Sequence, residues 1–402
     1  MPGNIVIVGA GQAACQAVQT LRAEGVEAPI VMIGDEAYAP YQRPPLSKAY
    51  LLGNFERPRL FLKADSYYPE AGCELIVNTS VTAIHRAERG VELSTGRKLA
   101  YDKLLLATGA RVRRLGCPGA DLSGVHYLKT IADVDGLQEV FQASKRIAIV
   151  GGGYIGLEVA AVGAKRGLDV TVFEAMDRLM ARAVSPLLSD FYAREHEKAG
   201  VKLKLRTGVE AIEGDGKVER VIAGGESHAC DIVLVGIGVV PCDELAVRCG
   251  LGTDDGIVVD QNARTGDPHI WAAGDCTRHV GREGHEIRLE CVQNAIDQAK
   301  HAAMAMAGKP RTYSEVPWFW SDQYDLKLQI AGLARPSDTL IPRGDPANRK
   351  FAVFHLRDGK VAAVEAVNAA PEYMIGKKLI AEAKTIAPEK LADLSIPMKQ
   401  MA

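Results

Sequence analysis

Residues 4–25 read NIVIVGAGQAACQAVQTLRAEG, and this stretch decides the fold. The β-branched run Ile5–Val8 predicts a buried parallel strand. The glycine pattern GAGQAA at 9–14 follows directly, and apolar spacing predicts a helix that stops near Gly25. The next apolar run ends at Asp35. A strand, a glycine turn, a helix and a second strand that ends in an acid together predict a dinucleotide-binding βαβ unit.

The same pattern returns in residues 146–174, RIAIVGGGYIGLEVAAVGAKRGLDVTVFE. Strand Ile147–Val150 precedes the glycine motif at 151–156, and the second strand ends at Glu174. In both copies the first glycine makes a tight turn, the second lets the backbone approach a pyrophosphate, and the third position permits close packing. The helix N-terminus adds amide donors and a favourable dipole. Two such units predict a bound flavin dinucleotide and a diffusible nicotinamide dinucleotide, because hydride transfer needs a donor and an acceptor.

Composition limits the other classes of function. The 402 residues are enough for two or three domains, and the net charge of −2 disfavours nucleic acid or an anionic membrane as a general partner. No apolar run reaches the roughly 18–20 residues that span a bilayer, and no signal-type segment opens the chain, so a cytoplasmic protein is expected. Eight cysteines are scattered without a Cys-x-x-Cys pair, and all are expected to be reduced and structural.

Two junctions predict the domain organisation. Residues 101–113 and 230–241 each read as a buried strand followed by a glycine turn, and the second βαβ unit lies between them. We therefore predict an inserted nicotinamide domain. The predicted boundaries are an FAD-binding domain at 1–112 and 238–314, a NAD-binding domain at 113–237, and a C-terminal α+β domain at 315–402.

Polar residues at strand ends suggest cofactor contacts. Asp35 and Glu174 stand where a carboxylate accepts from ribose hydroxyls, and Glu174 would repel a 2′-phosphate, which favours NADH over NADPH. Arg178 lies close enough in sequence to weaken that preference. Asp275 follows a predicted strand and can accept from a flavin ribityl chain, although a helix-capping aspartate has the same pattern. Val292 begins a predicted helix whose dipole could face the flavin pyrimidine, although it also suits a core position.

Six motifs carry a family resemblance. They are VGAGQAA (8–14), RPPLSKAYL (43–51), LLATGA (105–110), GGGYIGLEVAA (151–161), AAGDC (272–276) and PWFWSDQY (317–324). Together they resemble the two-dinucleotide flavoprotein disulfide-reductase superfamily, and within it the FAD-dependent, NADH-linked ferredoxin reductases of bacterial oxygenase systems. The resemblance implies an α/β fold with two Rossmann-like, glutathione-reductase-like domains and a C-terminal α+β domain. A monomer or a homodimer is expected.

The motifs and the resemblance together define two sets of candidate binding residues. The FAD set is Gly9, Gly11, Ala13, Ala14, Asp35, Arg43, Lys48, Val81, Thr108, Gly109, Lys129, Gly274, Asp275 and Val292. The NAD set is Gly151, Gly153, Tyr154, Ile155, Gly156, Glu158, Glu174 and Gly238. Lys129 stands where the family has an arginine, so the charge is kept and the bidentate fork is lost. No metal site is expected.

Three candidate catalytic residues follow from the resemblance. It places Lys48 beside the flavin ring, Glu158 facing that ring, and Trp320 near the flavin edge. A lysine there would stabilise electron density arriving at the flavin, and Glu158 would pair with it and position the nicotinamide carboxamide. The alternative is an ordinary ion pair between domains, worth under about 1 kcal/mol. Trp320 is alternatively a simple packing residue.

The implied partner is a [2Fe-2S] ferredoxin. Because such ferredoxins are acidic, a basic docking face is expected. The candidates by sequence neighbourhood are Arg43, Arg111, Arg113, Arg114 and Lys300. A rubredoxin stays open as the alternative partner. The terminal oxygenase is a cytochrome P-450 or a Rieske dioxygenase, and the RPPLSKAYL and PWFWSDQY motifs favour the cytochrome.

Other activities of the superfamily fit the sequence less well. Disulfide and peroxide reductases need a reactive cysteine near the flavin, often after the first βαβ unit, but residues 41–44 there read YQRP. A membrane quinone reductase needs an amphipathic anchor, whereas the tail at 390–402, KLADLSIPMKQMA, is short and mixed. A DNA-binding role of the apoptosis-factor type needs a strongly basic surface, and the net charge of −2 argues against one.

Overall fold

The computed structural model describes residues 3–401, which form two compact units. The first unit comprises the described residues up to Gln42, together with Arg57–Arg111 and Val240–Pro317. The second comprises Arg43–Glu56, Val112–Val239 and the described residues from Trp318 onward. Each unit is therefore built from segments that are distant in sequence.

The helices and strands follow in chain order. Up to residue 112 they are β1 (Ile5–Val8), α1 (Gln12–Ala23), β2 (Ile30–Ile33), α2 (Tyr67–Glu70), β3 (Cys73–Ile76), β4 (Val81–His85), β5 (Gly90–Leu93), β6 (Lys98–Ala100), β7 (Lys103–Leu106) and β8 (Ala110–Val112). From 113 to 241 they are β9 (Val125–Tyr127), α3 (Ile131–Val140), β10 (Arg146–Val150), α4 (Tyr154–Lys165), β11 (Asp169–Glu174), α5 (Pro186–Lys198), β12 (Lys202–Leu205), β13 (Val209–Glu213), β14 (Arg220–Ala223), β15 (Glu226–Ala229), β16 (Ile232–Val235) and β17 (Val239–Pro241).

The remaining elements complete the first unit and then the C-terminal part. They are α6 (Glu244–Arg248), β18 (Ile257–Val259), β19 (Ile270–Ala272), β20 (Thr277–Val280), β21 (Glu286–Ile287), α7 (Val292–Met306), β22 (Trp318–Gln323), β23 (Leu326–Gly332), β24 (Thr339–Asp345), β25 (Lys350–Arg357), β26 (Lys360–Val367), α8 (Ala370–Glu382) and α9 (Pro388–Ala392). Short 3-10 helices lie at Pro44–Ser47, Arg57–Leu60, Pro346–Asn348 and Met398–Gln400.

A five-stranded parallel sheet forms the centre of the first unit, in the order β19-β7-β1-β2-β3. In its register Ile5 lies opposite both Ile30 and Lys103. The strand β1 is buried on both faces, as its uninterrupted apolar run predicts. Helix α1 packs against α7. The βαβ unit predicted from residues 4–25 is confirmed.

The second unit has its own five-stranded parallel sheet, in the order β12-β11-β10-β16-β9. Val150 lies opposite Phe173 on one side and Val235 on the other. Helix α4 begins directly after the glycine turn and packs on β11 and β10. The second predicted βαβ unit is therefore confirmed as well.

An antiparallel sheet forms the C-terminal part of the second unit, in the order β22-β23-β26-β25-β24. Helix α8 packs against β26 and β23. The predicted fold class, with two Rossmann-like units and a C-terminal α+β part, is confirmed. Among residues 3–401 no helix is long and apolar enough to cross a bilayer.

Candidate functional site

The first glycine loop leaves open space at the start of α1. Gly9 has a φ of +109°, and a Cβ there would lie 2.1 Å from the Ala107 carbonyl oxygen, so only glycine fits. Gly11 caps the N-terminus of α1, and a Cβ there would meet nothing within 4 Å. The backbone is thus pressed against a neighbouring strand at Gly9 and opens outward at Gly11, an arrangement that fits a dinucleotide pyrophosphate beside the helix N-terminus.

Other members of the FAD set lie around this loop in the first unit. Gly274 has a φ of +91°, and a Cβ built on it would lie 3.5 Å from the Ala13 Cβ, so the turn after β19 closely approaches α1. The Gly274 amide donates to Gln298 Oε1 at 2.8 Å, which fixes that turn to α7. Thr108 Oγ1 donates to the Cys242 carbonyl at 2.6 Å and Gly109 has a φ of +65°. The turns after β7 and β19 are thus both held in place.

The remaining members of the FAD set are not all in this unit. Asp35 is exposed at the end of β2, Val292 begins α7, and Val81 is buried in the core with 8% of its surface exposed. The residues in the second unit are Arg43, Lys48 and Lys129. The positions that match the family therefore divide between the two units, whereas the whole NAD set and Trp320 lie in the second.

The second glycine loop repeats the geometry of the first. Gly151 has a φ of +105°, and a Cβ there would lie 2.5 Å from the Gly236 oxygen. A Cβ on Gly156 would lie 2.2 Å from the Gly151 oxygen, which explains the need for glycine at the third position. Gly153 caps α4, and a Cβ there would meet nothing within 4 Å. The residues again fit a dinucleotide phosphate at a helix N-terminus.

Glu174 is oriented by this loop. One carboxylate oxygen accepts from the Gly152 amide at 2.7 Å and the other from the Met176 amide at 2.8 Å. Each oxygen keeps further acceptor capacity for a ribose hydroxyl. The Arg178 guanidinium donates to the Ala181 carbonyl at 2.6 Å and the Val184 carbonyl at 2.8 Å. These bonds hold Arg178 to its own turn and leave Glu174 to set the local charge.

A buried carboxylate is the centre of the candidate catalytic cluster. Glu158, on the second turn of α4, has 1% of its side chain exposed. Its Oε2 accepts from Lys48 Nζ at 2.7 Å and from Ser47 Oγ at 2.5 Å, and its Oε1 accepts from Ser321 Oγ at 2.6 Å. Three donors from two distant segments thus offset the cost of burying this charge. The predicted pairing of Lys48 with Glu158 is present, and 18% of the Lys48 side chain remains exposed.

The segment Arg43–Glu56 places Lys48 by a short 3-10 helix. Pro44 and Pro45 occupy its first positions, where proline needs no amide donor. The Lys48 amide closes the turn on the Pro45 carbonyl at 3.1 Å, and Lys48 Nζ lies 3.3 Å from the Pro44 carbonyl. Arg43 donates to the Lys129 carbonyl at 2.7 Å. The two prolines therefore stiffen the approach to Lys48, and the helix is a single turn that ends before it.

Strand β22 contributes aromatic rings. The rings of Trp318 and Trp320 lie 5.6 Å apart between centroids, and the Phe319 ring lies 4.4 Å from that of Tyr154. Lys377 Nζ stands 5.3 Å from the Trp318 ring centre. Trp320 is partly exposed, so its ring is available to a ligand as well as to its neighbours.

Four of the eight cysteines have thiols that are poor candidates for redox chemistry. Burial raises the pKa of Cys73 and Cys276 to about 11 and that of Cys230 to about 12. Burial also raises the pKa of Cys291 to about 11. Because the thiolate is the reactive form, these side chains are weak nucleophiles at neutral pH.

The candidate docking residues divide between the units. Arg111 pairs with Glu244 in the first unit, where Lys300 Nζ also lies 2.9 Å from Asp297. In the second unit Arg113 and Arg114 are exposed, and the Arg114 guanidinium stacks 4.2 Å from the Tyr127 ring centre. Arg111 and Lys300 are thus partly neutralised by acids, and Arg43 donates to a main-chain carbonyl.

Ser47 and Ser321 are the residues that the sequence did not reveal. Both lie inside motifs that carry the family resemblance, RPPLSKAYL and PWFWSDQY, but a serine there has no signature of its own. Both hydroxyls donate to the Glu158 carboxylate, which lies 111 residues from Ser47 and 163 residues from Ser321 in the sequence. Only the folded structure joins them.

These features define a class of protein, a flavin-type oxidoreductase with two dinucleotide loops. Residues 3–304 match the pyridine nucleotide-disulphide oxidoreductase family, and residues 318–402 match the reductase C-terminal family. The chain therefore belongs to the pyridine nucleotide-disulphide oxidoreductase family. The resemblance inferred from the six motifs is confirmed.

Particular relatives narrow the class. The chain is 44% identical to the probable ferredoxin reductase CtmF of Castellaniella defragrans, over 99% of this chain and 98% of that protein. It is 41% identical to the ferredoxin–NAD(+) reductase component of the anthranilate 1,2-dioxygenase system of Burkholderia cepacia, over 98% of each. The crystal structure of the covalent putidaredoxin reductase–putidaredoxin complex matches with a TM-score of 0.97 at 38% identity, covering 99% of this chain and 98% of that one.

Proposed function

We propose that this protein is an FAD-dependent NADH:ferredoxin oxidoreductase that passes electrons from NADH to a [2Fe-2S] ferredoxin serving an oxygenase. The observation that supports this most directly is the pair of glycine loops, one in each unit. In both, the second glycine opens onto free space at a helix N-terminus. Two dinucleotides are therefore accommodated by one chain, one as resident cofactor and one as substrate.

FAD, when bound, takes up the electron pair of a hydride and passes the electrons on singly, which suits a one-electron carrier. The first-unit loop around Gly11 would hold its pyrophosphate, and Asp35 and Asp275 would accept from its ribose and ribityl hydroxyls. Val292 would direct the N-terminus of α7 toward it. Lys129 is proposed as a further charged contact to the FAD.

Lys48 supplies a fixed positive charge for the reduction step. Glu158 holds the ammonium at 2.7 Å, and the 3-10 turn fixes the backbone below it. A cation held in this way stabilises arriving electron density without first having to reorganise. Trp320 precedes Ser321 on β22 and is partly exposed, which suits contact with the nicotinamide. No nucleophilic side chain is needed.

NADH is the proposed electron donor in preference to NADPH. Glu174 stands beside the second loop with its carboxylate fixed by two amides. A 2′-phosphate there would face a like charge. Arg178 is directed at main-chain carbonyls, so it does not offset that charge.

The partner is proposed to be an acidic ferredoxin that docks on a basic surface, with the reaction taking place in the cytoplasm. The relatives' names include a dioxygenase component and a complex with putidaredoxin. The first name supports a dioxygenase, proposed to be of the Rieske type, as the terminal oxygenase. The motifs at 43–51 and 317–324 favour a cytochrome P-450 instead.

A single experiment tests the proposal. Purified protein should show a flavin spectrum that NADH bleaches without oxygen, and the reduced protein should then reduce a ferredoxin from a panel drawn from the host. A rubredoxin in the same panel decides between the two carriers. A protein that binds no flavin, or whose flavin NADH leaves oxidised, would contradict the proposal.

A further inference from the structure

A line of hydrogen bonds leads from the surface to the Glu158 carboxylate. Tyr324 O lies 2.8 Å from His196 Nδ1, and His196 Nε2 lies 2.8 Å from Gln323 Oε1. Gln323 Nε2 then lies 3.3 Å from Ser321 Oγ, which donates to Glu158 Oε1 at 2.6 Å. We call these five residues the Tyr324–Glu158 chain. They come from α4, α5, β22 and the residue that follows β22, all within the second unit.

The chemistry of the groups fixes the direction of every bond. Glu158 faces an ammonium and two hydroxyls, so it is an ionised acceptor, and the Ser321 hydrogen must point toward it. The Ser321 oxygen can then only accept, which requires the amide nitrogen of Gln323 and excludes the reversed amide. The Gln323 oxygen therefore accepts from His196 Nε2–H. In the neutral imidazole this leaves His196 Nδ1 without a proton, so Tyr324 donates to it.

All four donors therefore point toward the carboxylate. Bonds aligned in one direction polarise one another, and they stabilise negative charge at the receiving end. Ser321 and His196 are fully buried, and 1% of Gln323 is exposed. Tyr324, at 36%, is the member that reaches solvent. Burial lowers the pKa of His196 to about 4, so the imidazole is neutral at pH 7, as this direction requires.

We propose that the Tyr324–Glu158 chain is a positioning device that holds the Glu158 carboxylate ionised and turned toward Lys48 during reduction by NADH. The inference rests on the proposed function, because that is what makes the Lys48–Glu158 pair part of the reaction. The chain does not conduct protons: Gln323 interrupts it with an amide, which donates and accepts but does not relay.

Several titratable groups face the two ends of the chain. Glu158 faces Lys48 directly, and its charge contributes to the raised pKa of Tyr154 and of Tyr192, both dominated by burial. His196 faces Tyr324. Burial lowers the pKa of His196, and the charge of Glu195 opposes this by raising it. The Tyr324 hydroxyl has its pKa raised by burial, so it stays a donor across the neutral range.

The first test reads the direction of the bonds without any turnover. Nitrogen-15 spectra of histidine-labelled holoenzyme should show His196 as the Nε2–H tautomer at pH 7 and still neutral at pH 5. The signal is assigned by its loss in His196→Gln. A Nδ1–H tautomer, or protonation between pH 6 and 7, would overturn the proposal even if the enzyme reduces ferredoxin normally.

The second test reads the consequence for Glu158. Ser321→Ala removes a donor to the carboxylate, so flavin reduction at saturating NADH should slow about tenfold at pH 7. The acid limb of its pH profile should move up by about one pH unit, because the protonated form becomes easier to reach. Ser321→Thr keeps the hydroxyl and should restore most of both.

Ser189→Ala is the matched control. Ser189 is also buried, but its hydroxyl donates to the Leu179 carbonyl and not to Glu158. Its loss should lower stability and leave the pH profile unchanged. An unshifted profile in Ser321→Ala, or an equal shift in Ser189→Ala, would overturn the positioning role. Absence of NADH-driven reduction in the unmodified protein would instead remove the proposed function and leave the tautomer result standing.

Discussion

At the scale of single residues, the central fact is a carboxylate that is almost completely removed from water. Glu158 keeps 1% of its side chain exposed, and its burial is compensated by one ammonium and two hydroxyls. Losing one partner of such a pair costs more than the pair contributes, because an uncompensated charge is left behind. The same arrangement that stabilises Glu158 also fixes Lys48, so structure and electrostatics depend on the same contacts.

Lys48→Met should therefore affect both stability and rate. We expect the free energy of unfolding to fall by about 3 kcal/mol, since the buried carboxylate loses its counter-ion. Flavin reduction by NADH should slow at least about tenfold while bound FAD is retained. Denaturant unfolding measures the loss of stability. Stopped-flow absorbance measures the reduction rate, and an FAD assay checks that the cofactor is retained.

Lys202→Met serves as the control for this variant. Lys202 lies in the same unit and pairs with Asp169 at 2.8 Å, but 61% of its side chain is exposed. Its replacement should leave the reduction rate within twofold. If Lys48→Met reduces flavin as fast as the unmodified protein, Lys48 is a structural residue only.

At the scale of elements, local sequence patterns are sufficient to predict the two βαβ units. Ile5–Val8 and Ile147–Val150 are short β-branched runs followed at once by glycines, and both are buried central strands. Sequence also placed the start of α7 at Val292. It did not predict that Ser47 and Ser321 share one carboxylate, because such contacts depend on tertiary packing between segments 111 and 163 residues away from Glu158. It also missed the His196–Tyr324 contact, since a lone histidine in a helix has no distinguishing spacing.

A substitution in the second glycine loop can test NADH binding without disturbing the fold. Gly153→Ala would place a methyl group where no protein atom lies within 4 Å, so the protein should fold normally. The methyl group should obstruct the NADH pyrophosphate and raise KM for NADH about tenfold. Steady-state kinetics and thermal unfolding check the two halves of this expectation.

Substitutions at two other glycines serve as controls for Gly153→Ala. Gly208→Ala also meets open space but lies outside the loop, so it should change neither KM nor stability. Gly156→Ala would bring a Cβ to 2.2 Å from the Gly151 oxygen and should destabilise the unit. A Gly153→Ala protein with unchanged KM would argue against dinucleotide binding at this loop.

The burial of His196, on α5, makes stability depend on pH. Burial lowers the pKa of His196 from 6.5 to about 4. Between these values the unfolded chain binds the proton more readily than the folded one, so stability is complete above pH 6.5 and falls as the pH drops toward 4. From this residue alone we expect a loss of roughly 2 kcal/mol between pH 7 and pH 5.

Denaturant unfolding at both pH values measures that loss. His196→Gln should be less stable at pH 7, where its hydrogen bonds are missing, but should lose less between pH 7 and pH 5. His285→Gln replaces an exposed histidine and should keep the pH response of the unmodified protein. Parallel pH responses in His196→Gln and the unmodified protein would show that His196 titrates normally.

At the scale of the whole molecule, the charges nearly cancel. The chain has 48 Lys and Arg residues against 50 Asp and Glu, which gives the net charge of −2. Attraction of an acidic ferredoxin must therefore come from a local patch. Among the candidates, Lys300 and Arg111 are paired with acids in the first unit, while Arg113 and Arg114 are exposed in the second. The exposed pair is the stronger expectation for docking.

Ionic strength should therefore separate the two half-reactions. Raising salt from about 0.05 M to about 0.5 M should lower kcat/KM for ferredoxin about tenfold, because the Debye length falls below the spacing of exposed charges. Flavin reduction by NADH should change less than about twofold, since it relies on the buried Lys48–Glu158 pair.

Arg113→Gln combined with Arg114→Gln should weaken ferredoxin reduction at low salt and flatten its salt response. Arg264→Gln, at a position 51% exposed, should not. If both half-reactions respond equally to salt, a basic docking surface does not govern the encounter.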